Sequence, residues 1–431
     1  MKRYETYKET KLQWVNNIPN HWIEGKVKYL FDIGRGRVIS QQELNPNGRY
    51  PVYSSQTKND GCLGHIDTFD FDDDILTWTT DGANAGEVFK RNGKFNCTNV
   101  CGTLKPKKEL NLVYFLYLMK FLTPFYKRPD TNGAKIMNGE MAEIISYFPS
   151  LVEQTQIAAY LDYKTGLIDS IIAQKEELIK KLKEQRQAII SEAVTKGLNK
   201  DVKLKDSGIE WLGEIPEHWK SVKFRFKFET TKGLTITKAD LLDEGIPCVN
   251  YGEIHSKYGF EVNPEVHNLK YVSEEYLETN KGSLLSKGDF VFADTSEDIE
   301  GAGNFTHLNS DIPTFAGYHT IIARLNDNSD FRFIAYFMDS SSFRSQIQNL
   351  VKGVKVYSIT NKILKDTILF FPPKEEQKMI AEYIDNKVKK IFMSTEKLEK
   401  SIKKLKEYRQ SLISEAVTGK IDVRDWQAPK S

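Results

Sequence analysis

The sequence predicts an α+β protein with two globular domains, separated by paired long antiparallel helices, and with an internal pseudo-two-fold duplication. Three observations predict this architecture. The block Trp14–Trp22 recurs as Trp211–Trp219, and the block Glu153–Asp162 recurs as Glu376–Asp385. The segments between these blocks differ in sequence and carry short strand-like runs. Each copy of the second block continues into a long helical pattern.

The repeats divide the chain into four parts. We expect a first globular domain at residues 1–149, a first helical spacer at 150–197, a second globular domain at 198–372, and a second helical spacer with the C-terminal tail at 373–431. The offset between copies is 197 (211 − 14) for the first block and 223 (376 − 153) for the second. A period of this size is too long for a solenoid, and a duplication of this kind suits a two-fold partner or a two-part target.

Within the first domain, residues 1–22 favour a loop or short helix that ends in a turn. From residue 27 to residue 100 the chain is rich in glycine and in short runs that predict strands, among them Tyr50–Tyr53, Ile75–Trp78 and Glu87–Phe89. A helix is predicted at Leu110–Leu122, and Pro124 is expected to end it.

The second repeated block predicts the spacer helices. Ser150 is the expected N-cap of the first, with Glu153 as its capping-box partner, and Gly166 is expected to separate a short helix from a longer one. An a/d-like seam is predicted in each copy. The seam residues are Ile168, Ile171, Leu178, Leu182 and Ile189 in the first copy, and Ile391, Leu398, Leu405, Tyr408 and Leu412 in the second.

These two helices can pair with each other, or each can pack only on its own domain. A paired rod of about 25 residues at ~1.5 Å each would measure about 38 Å. That length is close to the ~34 to 36 Å of one turn of B-DNA.

Composition narrows the class of protein. The chain has 61 basic and 59 acidic residues, for a net charge of +2, so any nucleic-acid surface must be local. Four cysteines do not form a disulfide framework and fit a reducing cytoplasm. The longest apolar run, Leu112–Met119, is too short to span a membrane. We therefore expect a cytoplasmic protein.

Known catalytic signatures are missing from the sequence. It contains no phosphate-binding G-x-x-x-x-G-K-[ST], no G-x-S-x-G elbow and no H-E-x-x-H, so a stand-alone enzyme is not expected. One spacing resembles a zinc site, formed by Cys62, His65, Cys97 and Cys101. Buried free thiols are the commoner explanation of such cysteines, and we predict no metal.

Polar side chains on glycine-rich loops of both inserts are candidates for DNA contact. Arginine reads guanine edges, glutamine reads adenine, and lysine, serine and threonine mostly contact phosphates. In the first insert the candidates are Arg35, Arg37, Ser54, Ser55, Gln56, Thr79, Thr80, Asp81 and Lys135. In the second they are Lys232, Thr235, Tyr251, Thr295, Ser296, Lys352, Lys355 and Tyr357.

The repeated motifs W-x-x-x-I-P-x-H-W, E-Q-x-x-I-A-x-Y-[LI]-D and S-E-A-V-T resemble the DNA-specificity subunit of type I restriction-modification enzymes, over essentially the full chain. The resemblance implies that each insert is a target recognition domain reading one half of a bipartite DNA sequence. It also implies that the helices pair as a spacer and dock two methylase subunits, and that motor-nuclease subunits join for cleavage. S-adenosylmethionine, ATP and magnesium would belong to those partner subunits, and this chain would hold no cofactor.

The expected function is therefore non-catalytic DNA recognition that directs adenine methylation and restriction. Because the inserts differ, we expect an asymmetric target with a fixed gap. Two alternatives remain open at this stage, a two-armed protein scaffold and an RNA-binding subunit. Trp14, Trp22, Trp211 and Trp219 are expected to pack each domain against its helix or to anchor a partner.

Overall fold

The computed structural model describes residues 2–12, 14–131, 133–209, 212–353 and 356–429. It divides the chain into two compact units, the first containing the residues up to Glu176 and those from Glu399 onward, and the second containing Glu177–Leu398. Each unit holds a mixed helix-and-sheet part and segments of two long helices. The predicted fold class and the internal duplication are confirmed. Within the described residues, no helix is both long and apolar enough to cross a bilayer.

The first unit contains two four-stranded sheets, in the orders β10-β8-β12-β4 and β6-β5-β11-β7, and a small sheet β13-β14-β9. Its strands are β1 Tyr7–Leu12, β2 Val15–Pro19, β3 Ile23–Lys26, β4 Phe31–Arg35, β5 Tyr50–Tyr53, β6 Cys62–Ile66, β7 Phe71–Asp72, β8 Ile75–Thr79, β9 Asp81–Gly82, β10 Val88–Arg91, β11 Lys94–Cys97, β12 Cys101–Pro106, β13 Arg128–Asp130, β14 Gly133–Lys135 and β15 Ile145–Phe148. Its helices are α1 Val27–Leu30, α2 Leu112–Tyr126, α3 Asn138–Glu143 and the first part of α4 Leu151–Lys196.

The second unit has a five-stranded sheet β19-β28-β24-β26-β21, a four-stranded sheet β22-β20-β27-β23 and the pair β25-β29. Its strands are β16 Leu204–Asp206, β17 Glu214–Pro216, β18 Lys220–Lys223, β19 Phe228–Lys232, β20 Ile246–Val249, β21 Phe260–Val262, β22 Lys270–Val272, β23 Leu284–Leu285, β24 Phe290–Ala293, β25 Thr295–Ser296, β26 Phe305–Leu308, β27 Thr314–Ala316, β28 Thr320–Leu325, β29 Tyr357–Ser358 and β30 Ile368–Phe371. Its helices are the last part of α4, α5 Tyr251–Ser256, α6 Tyr276–Thr279, α7 Phe331–Asp339, α8 Ser341–Gln348, α9 Asn361–Asp366 and the first part of α10 Lys374–Val417, and the last part of α10 belongs to the first unit.

The two inserts share one topology despite their different sequences. The sheet order β4-β12-β8-β10 in the first unit matches β19-β28-β24-β26 in the second, where β21 adds an edge strand. In both units the second sheet contains one parallel pair, β5 with β11 and β20 with β27. Strand β8 is central and fully buried where an apolar run predicted it, and β24 of the second unit is buried in the same way. The same scaffold therefore presents two different sets of loops.

The repeated motifs meet where each globular part joins its long helix, and we call this contact the joint. In the first unit the buried Glu153 carboxylate accepts hydrogen bonds from the Tyr4 hydroxyl at 2.6 Å and from Trp22 Nε1 at 3.0 Å, and it pairs with His21 Nε2 at 2.8 Å. The second joint repeats this contact. Trp219 Nε1 donates to Glu376 Oε1 at 3.2 Å, and His218 Nε2 lies 2.8 Å from Glu376 Oε2.

The tryptophans of the first repeated block have structural roles where they are described. Trp22 and Trp219 are fully buried, which confirms that they pack each globular part against its helix. Trp14 stacks on Phe125 with ring centroids 4.6 Å apart, and Trp211 lies outside the described residues. The capping box is only half formed, because Ser150 Oγ accepts from the Glu153 N–H at 3.5 Å while the Glu153 carboxylate is used in the joint.

Three expectations for local structure are wrong. Residues 7–12 and 15–19 form the antiparallel strands β1 and β2 rather than a loop or short helix. Helix α2 continues through Pro124, which lies in the last turn, where the missing N–H removes a single bond. Helix α4 runs for 46 residues without a break at Gly166. A glycine inside a helix costs roughly 1 kcal/mol, and the free energy gained by packing the rest of the helix outweighs this cost.

A stripe of buried and half-buried side chains runs along each long helix, and successive members of the stripe are alternately three and four residues apart. It follows equivalent positions in the two copies. In α4 these are Leu161, Thr165, Ile168, Ile172, Lys175, Ile179, Leu182, Arg186, Ile189 and Ala193, and in α10 they are Ile384, Val388, Ile391, Thr395, Leu398, Ile402, Leu405, Arg409, Leu412 and Ala416.

The predicted seam is corrected at Ile171, Leu178 and Tyr408, which are 42%, 45% and 49% exposed. The stripe passes instead through the next residue in each case, whereas the other seven predicted positions lie on it. In the first unit two ion pairs join the helices, Arg409 to Asp169 at 2.9 Å and Lys406 to Glu176 at 3.7 Å. Because the residue number rises along α4 while it falls along α10 from the first pair to the second, the two helices run antiparallel there.

Adjacent isoleucines of α4 provide a test of this stripe. We expect Ile172→Ala to lower the free energy of unfolding by roughly 2 to 4 kcal/mol, because Ile172 is buried. Ile171→Ala removes the same atoms from an exposed face and should change it by less than about 1 kcal/mol. Urea unfolding followed by circular dichroism measures both, and equal losses would contradict the assigned stripe.

Candidate nucleic-acid interface

In the first unit most of the predicted DNA-contacting residues gather around the turn Thr98–Val100, between β11 and β12. Thr98 Oγ1 donates to Ser54 Oγ at 3.1 Å, and Arg35 Nε donates to the carbonyl of Asn99. The Thr80 N–H bonds the Val100 carbonyl at 2.9 Å. Loops that are far apart in sequence therefore meet at one edge, because β4, β8 and β11 all end there.

Glycine is required at this edge by close backbone approach. A Cβ at Gly36 would overlap the carbonyl oxygens of Cys97 and Thr98. The equivalent Gly233 is equally confined, since its Cβ would overlap Thr320 Oγ1 and the Gly317 carbonyl. Each glycine directly follows an exposed cation, Arg35 or Lys232. The same position in both units thus presents a positive charge beside a tight turn.

We expect Gly36→Ala to lower the free energy of unfolding by about 1 to 3 kcal/mol, because backbone atoms must move to admit the methyl group. Gly139→Ala is the matched control, since a Cβ there meets nothing within 4 Å. Thermal unfolding of the two variants measures the difference. Equal stability of the variants would show that the turn adjusts freely.

The second unit builds the equivalent edge around Gly317–His319, the turn between β27 and β28. The Tyr251 ring lies 5.6 Å from that of Tyr318 and 5.3 Å from that of His319. His319 Nδ1 lies 3.2 Å from Asp294 Oδ1, and the backbone of His319 is left-handed, with φ +56°. Non-glycine residues adopt this backbone conformation infrequently.

A cleft of about 640 Å³ opens beside this turn in the second unit, and Tyr251, Thr295 and Ser296 are among its lining residues. His255 Nε2 donates to the Thr295 carbonyl at 2.8 Å, so Nδ1 is left to accept from Asn304 Nδ2 at 2.8 Å. This network fixes the polar groups on the cleft wall. An aromatic ring can stack on the face of a nucleobase, and fixed donors and acceptors can form hydrogen bonds with its edge.

Short paired strands extend the edge in both units. In the first unit Lys135 lies opposite Asp81, and its ammonium pairs with Asp130 at 3.1 Å. In the second unit Ser296 lies opposite Tyr357. These pairs occupy equivalent places in the two topologies. Different side chains at equivalent places are what two different half-sites would require.

Some of the residues predicted to contact DNA are buried in the structure, and the prediction is corrected for them. Thr79, Thr80 and Ser296 are 1%, 0% and 7% exposed, because the strand ends that carry them lie inside the sheets. Arg37 is exposed but pairs with Glu43 at 2.8 Å and with Asp70 at 3.0 Å, and these carboxylates raise the pKa of its guanidinium. The guanidinium of Arg37 therefore joins the segments that carry Glu43 and Asp70.

The remaining predicted residues are placed as follows. Gln56 donates its side-chain amide to the Cys62 carbonyl. Lys355 lies outside the described residues. Exposed side chains are those of Arg35, Lys232, Thr235 and Lys352, and half-buried residues are Ser54, Ser55, Gln56, Asp81, Lys135, Tyr251, Thr295 and Tyr357.

The sequence reasoning missed several residues at these edges. Asn99 is exposed at the first turn, and Tyr318 and His319 form the second. The Gly317-Tyr318 dipeptide between two apolar runs is a turn signal that could have identified them. His255 and Asn304 carry no such signal, because only the folded topology brings them to the cleft.

The four residues with zinc-like spacing do not converge. Cys97 and Cys101 are buried with Ile75 and Phe95, whereas His65 is exposed on β6. Across the described ranges, no group of three or more histidine, cysteine, aspartate or glutamate side chains is placed to hold a metal ion. The thiols pack as small apolar groups.

Comparison with known proteins gives one consistent result. The family model described as the type I restriction modification DNA specificity domain matches residues 19–181 and 216–404. The chain is 45% identical over 139 residues to the N-terminus of the type I specificity subunit S.MpnORF289P of Mycoplasma pneumoniae, covering 32% of this chain and 74% of that protein. It is 26% identical over 441 residues to the type I restriction enzyme MjaVIII specificity subunit of Methanocaldococcus jannaschii, covering 97% and 98%.

A solved structure shares the fold. A chain from work on complex assembly and conformational transition of the type I R-M system superposes with a TM-score of 0.69, at 14% identity, and the match covers 94% of this chain and 99% of that one. The family model, matched in both halves, accounts for the duplicated frame seen in the structure. This chain belongs to the family of type I restriction-modification DNA-specificity subunits.

Proposed function

We propose that this chain reads an asymmetric, bipartite, gapped DNA target and directs adenine methylation and restriction by partner subunits. The observation that carries the proposal is that one sheet topology is built twice and presents different loops at the same edge. Each unit would read one half-site. The long helices, each shared by both units, would set the gap.

Readout would combine charge and shape at each edge. Arg35 and Lys232 would contact phosphate or a guanine edge from equivalent positions. Half-buried Tyr251 and Thr295 would contact bases beside the cleft of the second unit. Catalysis, with S-adenosylmethionine, ATP and magnesium, would belong to two methylase subunits and to motor-nuclease subunits. Such a complex would act on DNA in the cytoplasm.

The decisive experiment expresses the chain with its methylase partner and maps methylated adenines across a genome by single-molecule sequencing. We expect a two-part gapped motif with one modified adenine on each strand. Replacing residues 23–148 by the corresponding insert of another family member should change one half-site and leave the other. A change in both half-sites, or the absence of any motif, would contradict the proposal.

Salt dependence separates DNA reading from a protein scaffold. Phosphate contact makes affinity fall steeply as salt rises, whereas a scaffold need not show this. We expect strong binding to duplex containing the motif at low salt, with a clear preference over single strands and over RNA. No binding to the duplex at low salt would favour the scaffold.

A further inference from the structure

The segment between β5 and β6 in the first unit begins at the candidate interface. Residues 54–61 form this segment, which we call the β5–β6 loop, and its first residue, Ser54, accepts a hydrogen bond from Thr98 at the edge. Lys58 and Asn59 are exposed within the loop. Among the described residues, neither the Lys58 ammonium nor the Asn59 side-chain amide has a hydrogen-bond or ion-pair partner. Both groups are therefore available to a ligand.

The backbone of the β5–β6 loop is strained at two consecutive residues. Asn59 and Asp60 have left-handed φ angles of +50° and +52°, and in the described ranges they are the only adjacent non-glycine residues with positive φ. This conformation is unfavourable for a residue with a Cβ, and it persists only where the surrounding contacts require it. The shape of the loop therefore depends on its contacts with the rest of the first unit.

Arg91, at the end of β10, makes such a contact. Its Nη1 donates to the Asp60 carboxylate at 2.6 Å, and its Nη2 donates to the Asp60 carbonyl at 2.8 Å. Its Cζ lies 3.6 Å from the centroid of the Tyr53 ring and 4.5 Å from that of Phe89. The Arg91 side chain is 2% exposed, and no other carboxylate in the described part of the chain pairs with it. A buried cation needs a counter-charge, so the loop conformation that supplies Asp60 is coupled to the burial of Arg91.

The second unit is built differently at both of these places. Its β20 occupies the place of β5, but there the chain continues through Asn250 into helix α5. Its β26 occupies the place of β10, and the position of Arg91 is taken by Leu308, which is buried and apolar. The buried cation and the strained loop thus occur together in one insert. Such a difference between inserts is expected of a feature that serves one particular half-site.

We propose that Arg91 is a positioning residue for the first half-site: through Asp60 it holds the β5–β6 loop in the conformation that presents Asn59 to an adenine and Lys58 to a phosphate. A free asparagine amide offers a donor and an acceptor, which match N7 and the N6 amino group of adenine in the major groove, and lysine contacts phosphate. Arg91 itself is too buried to touch DNA. The inference rests on the proposed function, in which the first insert reads one half-site.

The ion pair between Arg91 and Asp60 acts by ordering the loop before DNA arrives. Without it, the two left-handed residues relax into other conformations, and DNA binding must restrict them again. The loss appears as weaker binding of the whole target and as lost discrimination at the base that Asn59 contacts. The second half-site is unaffected, because no part of this arrangement belongs to the second insert.

Arg91→Met and Asn59→Gly test the proposal in the chain co-expressed with its methylase partner. Methionine keeps an apolar chain against the two rings and leaves Asp60, 73% exposed, in contact with water, so this variant should fold. Glycine adopts the left-handed conformation readily and removes the amide. In both variants, mapping of methylated adenines should show one adenine position becoming degenerate in the half-site that changes when residues 23–148 are exchanged. Affinity for duplex containing the motif should fall about tenfold.

A double variant and two controls separate positioning from general damage. Because Arg91 acts through the loop, adding Arg91→Met to Asn59→Gly should cause no further loss of discrimination at that adenine. Lys90→Met removes an exposed ammonium from the same strand, and Asn47→Gly removes an exposed amide from the segment before β5. Both controls should keep the wild-type motif. Thermal unfolding shows which variants are folded.

The outcomes distinguish this inference from the proposed function. A wild-type motif in folded Arg91→Met, or degeneracy in both half-sites, overturns the positioning role. A wild-type motif in Asn59→Gly, or degeneracy at a base other than adenine, overturns the role of Asn59, and this variant decides the matter if Arg91→Met does not fold. Each of these results leaves the proposed function intact, whereas a wild-type chain that gives no gapped motif overturns both.

Discussion

Replacing Glu153 with alanine is expected to lower the free energy of unfolding by roughly 3 to 5 kcal/mol. This carboxylate is 7% exposed and satisfies the Tyr4 hydroxyl, the Trp22 N–H and the His21 ring. Its removal leaves buried donors without an acceptor, which costs more than the net worth of each hydrogen bond. Urea unfolding of the purified chain, followed by tryptophan fluorescence, measures the loss.

The duplication supplies a matched comparison for this change. Glu376 makes only the tryptophan and histidine contacts among the described residues and is 28% exposed, so water can replace part of what it provides. We expect Glu376→Ala to cost about half as much as Glu153→Ala. Glu153→Gln should fall between wild type and Glu153→Ala, because it keeps an acceptor for Trp22. Equal losses at Glu153 and Glu376 would show that the third contact and the deeper burial contribute nothing.

Acidification is expected to destabilise the second unit through His307. Burial lowers the pKa of His307 to about 4, while Glu261, 3.7 Å away, opposes this shift. The unfolded chain binds a proton near pH 6.5, whereas the folded chain stays neutral at this site until about pH 4. Stability at this site is therefore complete above pH 6.5 and is lost as the pH falls toward 4. The loss amounts to roughly 3 kcal/mol.

His307→Asn isolates this effect, because asparagine keeps a donor for the Phe260 carbonyl, which lies 2.5 Å from His307 Nδ1, and does not titrate. The difference in unfolding free energy between wild type and this variant should shrink by roughly 3 kcal/mol between pH 7 and pH 4. Parallel pH profiles for the two proteins would mean that water reaches the imidazole in the folded state.

Sequence patterns predicted the duplicated architecture because both copies keep the residues that form the joint. Glu153 and Trp22 are repeated as Glu376 and Trp219 since each pair makes the same buried contact. Apolar runs also predicted buried strands such as β8. The sequence did not predict which residues form the buried stripe of each helix equally well. Ile171 and Ile172 are adjacent and both fit the apolar pattern, and only packing against the other helix determines which of them is buried.

The candidate interface could be predicted only in outline. Glycine turns with polar neighbours predicted residues that the fold brings together, since Arg35 and Ser54 both lie beside the turn Thr98–Val100. Residue types alone do not reveal burial, which is why Thr79 and Thr80 were misassigned. The contacts of His255 in the second unit depend on pairings between distant strands, and no local pattern encodes them.

The first unit closes on itself through residues near the two ends of the chain. The Asp422 N–H bonds the Lys2 carbonyl at 2.9 Å, and the Arg424 guanidinium lies 5.0 Å from the Tyr4 ring centroid. In the second unit an unbroken stretch after α4 leads into β16 and β17. The first unit thus makes with two separate stretches of chain the junction that the second unit makes with one continuous stretch. A circularly permuted gene, with Asp425 linked to Lys2 and new ends near Lys200, encodes the same set of contacts in a different order.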